Sequence, residues 1–266
     1  MARPAPTWQE QERAALDEFI VHRRRDFVGR GTLVQHLEAV ALGTTGADAA
    51  RGACVTGRPG SGKSAVFAQL HHRLTEGGQA LVLANAAGAT THGSRVDAML
   101  RRWIGELAIH LAIADPIPDN ATPDEVEEVF YRVLRQASHA TRVAVLVDAL
   151  NQFEATPRGT HATWFKPAQW PDNAALIATS LPCTAAEAVE RTLSRLAAAD
   201  PGHAGWQRDL WVSYWRLAQM AEPTNASEAR DWWRKAYEHL SGMKQCGIMM
   251  PTDQQYLDQL RLKAQP

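Results

Sequence analysis

The sequence predicts an α/β fold, a doubly wound parallel sheet over residues 1–183 followed by an α-helical segment over residues 184–266. Three observations predict it. Four short apolar runs, Ala53–Thr56, Gln79–Asn85, Arg142–Asp148 and Ala175–Ser180, alternate with stretches of helical periodicity. A glycine-rich loop, Gly57–Ser64, joins the first run to a helix. Beyond Ala185 the strand signals vanish, and five of the nine tryptophans fall between Trp206 and Trp233.

In chain order, Trp8–Arg25 reads as an amphipathic helix with Trp8, Ala15, Leu16, Phe19 and Ile20 on its apolar face. Phe27–Gly31 leads to a helix carrying Leu33, Leu37 and Val40, and Gly43–Ala50 is a loop of small residues. The run Ala53–Thr56 has the composition of a buried parallel strand. Ser64–Glu76 follows as a helix with Val66, Phe67, Leu70 and Leu74 on one face, stopped by Gly77 and Gly78. After the second strand and the loop Ala86–Gly93, Ser94 and Asp97 read as a capping box. That helix carries Val96, Leu100, Trp103, Leu107 and Leu111, and two prolines within Asp115–Asn120 end it. Thr122, Pro123 and Glu125 mark the next helix start, with Val126, Val129, Phe130, Val133 and Leu134 as its apolar stripe. Arg142–Asp148 is the strongest strand, β-branched and apolar, and it ends in an acid. A long loop holding Trp164–Pro167 and Trp170-Pro171 precedes the fourth strand. In the last segment, a turn at Asp200–Gly202 separates helices expected at Trp206–Ala221, Asn225–Met243 and Pro251–Lys263. Aromatic residues at such spacing pack helices together.

Composition narrows the classes. The 266 residues are 45% apolar and 21% charged, with a net charge of −1, which points away from a nucleic-acid partner. Arg23–Arg25 and Arg101-Arg102 read as solvated helix faces, and His71-His72 as surface or rim histidines. Three widely spaced cysteines, with Cys54 in an expected core strand, indicate a reducing compartment. No apolar run reaches membrane-spanning length, and no signal peptide is read at the N-terminus, so a cytoplasmic protein without a membrane partner is expected.

The chemistry concentrates in Gly57–Ser64, which fits G-x-x-x-x-G-K-[ST] at every fixed position. Its glycines let backbone N–H groups turn inward onto an anion at a helix N-terminus. Lys63 is expected on the β- and γ-phosphates and the Ser64 hydroxyl on Mg²⁺. Asp148, at the carboxyl end of a buried strand, lies where α/β sheets bind ligands and suits a second Mg²⁺ ligand. Thr179 and Ser180 end the fourth strand, and their two hydroxyls are expected to face the γ-phosphate.

Taken together, these motifs resemble the STAND class of P-loop ATPases, the signal-transduction NTPases that include NACHT proteins. Phe27-Val28-Gly29-Arg30 looks like the segment these proteins carry before the phosphate loop, which implies adenine contacts at Phe27 and Val28. Gly57–Ser64 matches their first nucleotide motif, and Val145–Gln152 is similar to their second. Trp170-Pro171 before Leu176–Ser180 resembles their approach to the sensor strand. The resemblance spans roughly residues 20–183 and implies bound ATP and Mg²⁺. Nucleotide contacts are implied at Gly57, Gly60, Ser61, Gly62, Lys63, Ser64 and Ala65. The remainder looks like tetratricopeptide-type repeats, carried by Leu217-Ala218 and by Ala229, Trp233 and Ala236 at repeat spacing, with Arg195–Leu210 similar to a repeat junction.

Three departures bear on activity. Asn151 and Gln152 stand where the class often has acids, the fourth strand runs into Leu181-Pro182 without an arginine, and no fifth core strand follows. Gln152 is expected to orient water without accepting its proton. The implied function is an ATP-binding regulatory switch with slow or no hydrolysis. The alternative is a non-catalytic adaptor recruiting a protein partner through its helical tail, and an oligomer is compatible with either. A small-molecule kinase fits less well, because no arginine-rich segment follows the third strand and no acceptor-binding acid stands beyond Asp148.

Overall fold

All four expected strands form in the computed structural model, which describes residues 5–25, 27–44, 52–166, 169–183, 186, 187, 189, 211, 212, 214, 215, 218, 219, 222 and 226–264. The chain divides into two compact units, Met1–Leu42 with Arg51–Val189, and Gly43–Ala50 with Glu190–Pro266.

In the first unit, β1 (Gly52–Thr56), β2 (Leu81–Ala86), β3 (Val143–Asp148) and β4 (Ala174–Ser180) form one parallel sheet in the order β1-β4-β3-β2. Parallel neighbours need crossover connections, which the intervening helices supply. The register pairs Thr56 with Ser180 and Ala86 with Asp148, so the four carboxyl ends share one edge of the sheet. β3 and β4 are buried along their whole length, as their unbroken apolar runs require. β1 is only half-buried, because among the described strands it lies at the sheet edge. Cys54 is accordingly half-buried rather than a core residue. Gly52 permits the close pairing with β4, since a Cβ there would collide with the Leu176 carbonyl.

Local signals explain most helix starts. Thr7 and Glu10 form a capping box that opens α1 (Trp8–Arg24), which buries Leu16 and Ile20. α2 (Gly31–Leu42) buries Val34, Leu37 and Val40 and packs on β1, β3 and β4. α3 (Lys63–Gly77) buries Val66, Phe67, Leu70 and Leu74 and ends on Gly78 at φ +61°. At α5 (Pro123–Ala140), Thr122 and Glu125 cap each other, and these bonds hold the Glu125 carboxyl below its ordinary range.

α4 (Val96–His110) departs from expectation. Its N-cap is Arg95 with no side-chain bond, so Ser94 and Asp97 form no capping box. Other partners are seen instead: the Ser94 carbonyl accepts from Glu154 N at 2.9 Å, and Asp97 pairs one turn along the same helix with Arg101 at 2.8 Å.

A short 3₁₀ turn (Leu150–Gln152) and α6 (Pro157–Thr160) follow β3. The expected loop around Trp164 is packed rather than exposed, with Trp164, Phe165 and Trp170 all buried against α5. The Tyr131 hydroxyl donates to Trp164 O at 2.7 Å and accepts from Lys166 N at 2.6 Å. Glu127, itself buried, pairs with Arg158 at 2.6 Å and Lys166 at 2.5 Å, which offsets the cost of burying its charge.

In the second unit, α7 (Ala226–Gln245), a 3₁₀ turn (Pro251–Asp253) and α8 (Gln254–Ala264) pack with the helical residues Trp211, Val212, Tyr214, Trp215 and Ala218. Ala218, Ala229, Trp233 and Ala236 are buried in one cluster with Trp211, Leu240 and Leu260, the packing role expected of those aromatic residues. The expected turn at Asp200–Gly202, the segment Arg195–Leu210, Pro167 and most of the helix Trp206–Ala221 lie outside the described residues.

Candidate functional site

The loop Gly57–Gly62 leaves β1 at the shared carboxyl edge of the sheet. Gly60 and Gly62 sit at φ +73° and +79°, a region where side-chain-bearing residues are strained. Gly62 caps α3 without any side chain, and the N–H groups of Gly62, Lys63, Ser64 and Ala65 have no partner among the described residues. Open N–H groups at a helix start constitute an anion site.

The Lys63 ammonium folds back onto its own loop, donating to Gly57 O at 2.7 Å and Arg58 O at 2.9 Å. Burial lowers its pKa, the Asp148 charge opposes that shift, and Arg30 adds to it. Arg30 itself stands beside the loop, one guanidinium nitrogen 3.6 Å from the position of a Cβ on Gly62. A cleft of about 640 Å³ opens over Gly60–Ala65, and its far wall is His22, Arg23 and Arg25 of the α1 end. Arg23 and Arg25 are exposed, as expected of a solvated helix end, and they also line this cleft. Sequence reasoning missed this wall because residues far apart in the chain build it.

Asp148 is buried at the end of β3. Its Oδ1 accepts from the Thr179 hydroxyl, which in turn accepts from Ala149 N at 3.1 Å. Its Oδ2 accepts no hydrogen bond from the described residues. Ala149, at φ +62°, holds a left-handed conformation costly for a non-glycine residue, and that bend ends the strand on Asp148. Ser180 is fully buried, its hydroxyl 3.4 Å from Asn151 Oδ1 and 3.3 Å from Cys183 Sγ. Asn151 also accepts from Leu181 N at 3.0 Å.

Gln152 leans toward the far side of the sheet. Gln152 lies over Gly88 in the loop after β2, where a Cβ would collide with its Oε1, and Glu154 N bonds Ser94 O. Phe27 is half-buried while Val28 is 90% exposed.

Two expected surface groups are inside. Arg102 is buried, donating to Ala84 O at 2.6 Å, Asn85 Oδ1 at 3.2 Å and Glu106 at 2.6 Å. His71 is buried between α3 and α1, and only His72 stays at the rim, paired with Glu76 at 3.0 Å. A second cavity, about 590 Å³, lies between α1 and the loop after β2, where Glu12 accepts from His92 N and Thr90 Oγ1. Among the described residues no three His, Cys, Asp or Glu side chains cluster at metal-binding distance, and no helix is long and apolar enough to cross a membrane.

Fold and site define a mixed α/β protein whose parallel sheet ends, at one edge, on a glycine-rich loop and a buried carboxylate. No protein-family model matches the chain, and no curated protein matches it.

Proposed function

We propose that the first unit is a P-loop nucleotide-binding domain of the STAND type. The protein would then be an ATP-dependent regulatory switch with slow or no hydrolysis. One observation carries this reading: the glycine loop and Asp148 end parallel strands β1 and β3 on either side of β4, at the same edge of the sheet. Thr179 on the intervening strand donates to Asp148 and so fixes the carboxylate.

The residues fit Mg-ATP. Open N–H groups and the Lys63 ammonium suit phosphates, while the Ser64 hydroxyl and Asp148 carboxylate are hard oxygen donors of the kind Mg²⁺ takes beside water and phosphate. Ser64 and Asp148 would hold the metal. Bound Mg-ATP supplies the phosphoanhydride whose retention or loss distinguishes the two states of a switch. The helical second unit, with its small/large pattern of Ala229, Trp233 and Ala236, is read as a repeat segment that engages a protein partner.

Hydrolysis needs a group that orients water and accepts its proton. The Gln152 amide can orient but not accept, and it lies over Gly88 in the loop after β2, away from the loop on β1. This favours a second reading, the adaptor that binds nucleotide without turnover. Single-turnover hydrolysis should run well below the ~1–10³ s⁻¹ common among enzymes. Neither Gln152→Glu nor Glu154→Gln should change it by more than about twofold, since general-base effects of about 10²–10⁴ require a group at the water. A brisk rate abolished by Glu154→Gln would make Glu154 the base. Zero turnover with retained binding selects the adaptor.

ATP should be preferred over GTP, because Phe27 and Val28 offer apolar contact to the base and the chain has no guanine-reading motif. Equal affinities in competition binding would remove that assignment.

A further inference from the structure

The roles assigned so far leave the carboxyl end of α1 unused. His22, Arg23 and Arg25 face Gly60–Ala65 across the cleft, and none of the cleft's described lining residues is acidic. With Lys63 and Arg30 beside it, the loop is ringed by cations drawn from α1, the α1–α2 connection and α3. Like charges gathered around a cavity repel one another, and an anion in the cavity relieves that repulsion. Arg23 is already steadied, its guanidinium 5.1 Å over the Phe19 ring. Asp148 does not line this cleft. The α1 wall therefore faces the Gly60–Ala65 backbone, the part of such a loop that cradles the α- and β-phosphates.

We propose that His22, Arg23 and Arg25 form a second wall of the phosphate site and hold the diphosphate portion of a bound nucleotide. The inference rests on the nucleotide-binding reading above. Its consequence is that this wall contributes equally to ADP and ATP binding, so its hold does not depend on the terminal phosphate. It also ties occupancy to α1, whose Glu12 bonds Thr90 and His92 in the loop after β2.

The test is calorimetry on the full chain with Mg-ATP, Mg-ADP and pyrophosphate, comparing wild type, Lys63→Ala and the double variant Arg23→Ala/Arg25→Ala. The double variant should weaken ATP and ADP alike, by about tenfold or more, and lose competition by pyrophosphate. Arg23→Lys/Arg25→Lys should recover most of the loss, and both arginines are exposed, so melting should match wild type. Three results would overturn the inference: unchanged affinities, a loss confined to ATP, or weakened ADP with pyrophosphate competition intact. If wild type binds none of the three ligands, the nucleotide reading itself falls. If Lys63→Ala loses binding while the double variant keeps it, only the α1 wall falls.

Discussion

Replacing Lys63 with alanine is expected to lower the affinity for Mg-ATP at least tenfold. The ammonium lies on the loop itself, bonded to Gly57 O and Arg58 O. Those carbonyls are weaker partners than a phosphate, so a triphosphate would draw the ammonium across at little cost. Charge-assisted bonds of this type contribute about 1.5–3 kcal/mol, which corresponds to roughly ten- to more than a hundredfold in affinity. The burial that lowers the Lys63 pKa is opposed by Asp148, and a bound polyphosphate would favour the charged form further. Titration calorimetry of wild type and Lys63→Ala with Mg-ATP checks this, and equal affinities would sink the phosphate-loop assignment. Because Lys63 also satisfies two loop carbonyls, Lys63→Arg serves as the partner variant. It keeps the charge and should lose less than alanine does.

The second large effect is on stability. His71 is buried against α1, and its pKa falls from 6.5 to about 4. Burial is the largest cause, Arg13, His72 and Arg24 push in the same direction, and Asp17 opposes them. The folded state thus resists a proton that the unfolded chain accepts. Above pH 6.5 the imidazole is neutral in both states and the contribution is fully present. Between 6.5 and about 4 only the unfolded chain gains the proton, so stability falls with pH, and below about 4 the loss is complete. At about 1.4 kcal/mol per pH unit, the total is on the order of 3 kcal/mol. Hydrogen exchange of the slowest α3 amides reads this for the first unit alone. Wild type should lose that protection between pH 7 and pH 4, whereas His71→Leu should lose much less over the same range. Parallel profiles would mean that other groups carry the acid sensitivity.

The local devices were legible in the sequence. Thr122, Pro123 and Glu125 predict the start of α5 because a capping box is closed within four residues, whatever surrounds it. The apolar runs predict all four strands, and the side-chain period of Val66, Phe67, Leu70 and Leu74 predicts the buried face of α3. Ser94 and Asp97 show where that logic stops. Their spacing is right for a cap, yet the helix is capped one residue later, at Arg95, and the Ser94 carbonyl is claimed by the distant Glu154 N. Arg102 was unreadable because its burial is likewise non-local, made possible by the Ala84 carbonyl and Asn85 of β2.

The amino-acid sequence by itself determined the α/β character of this protein, the glycine loop and the acid that ends β3. Each depends on side-chain period, backbone freedom or residue type over a few neighbouring positions. The strand order β1-β4-β3-β2 was decided only in three dimensions. So were the bond from Thr179 to Asp148, the turn of Gln152 toward Gly88, and the three basic residues at the α1 end that line one cleft with the glycine loop. Each of these joins segments between about 30 and 125 residues apart in the chain. No local propensity records such a pairing, because its free energy exists only once the chain has closed on itself.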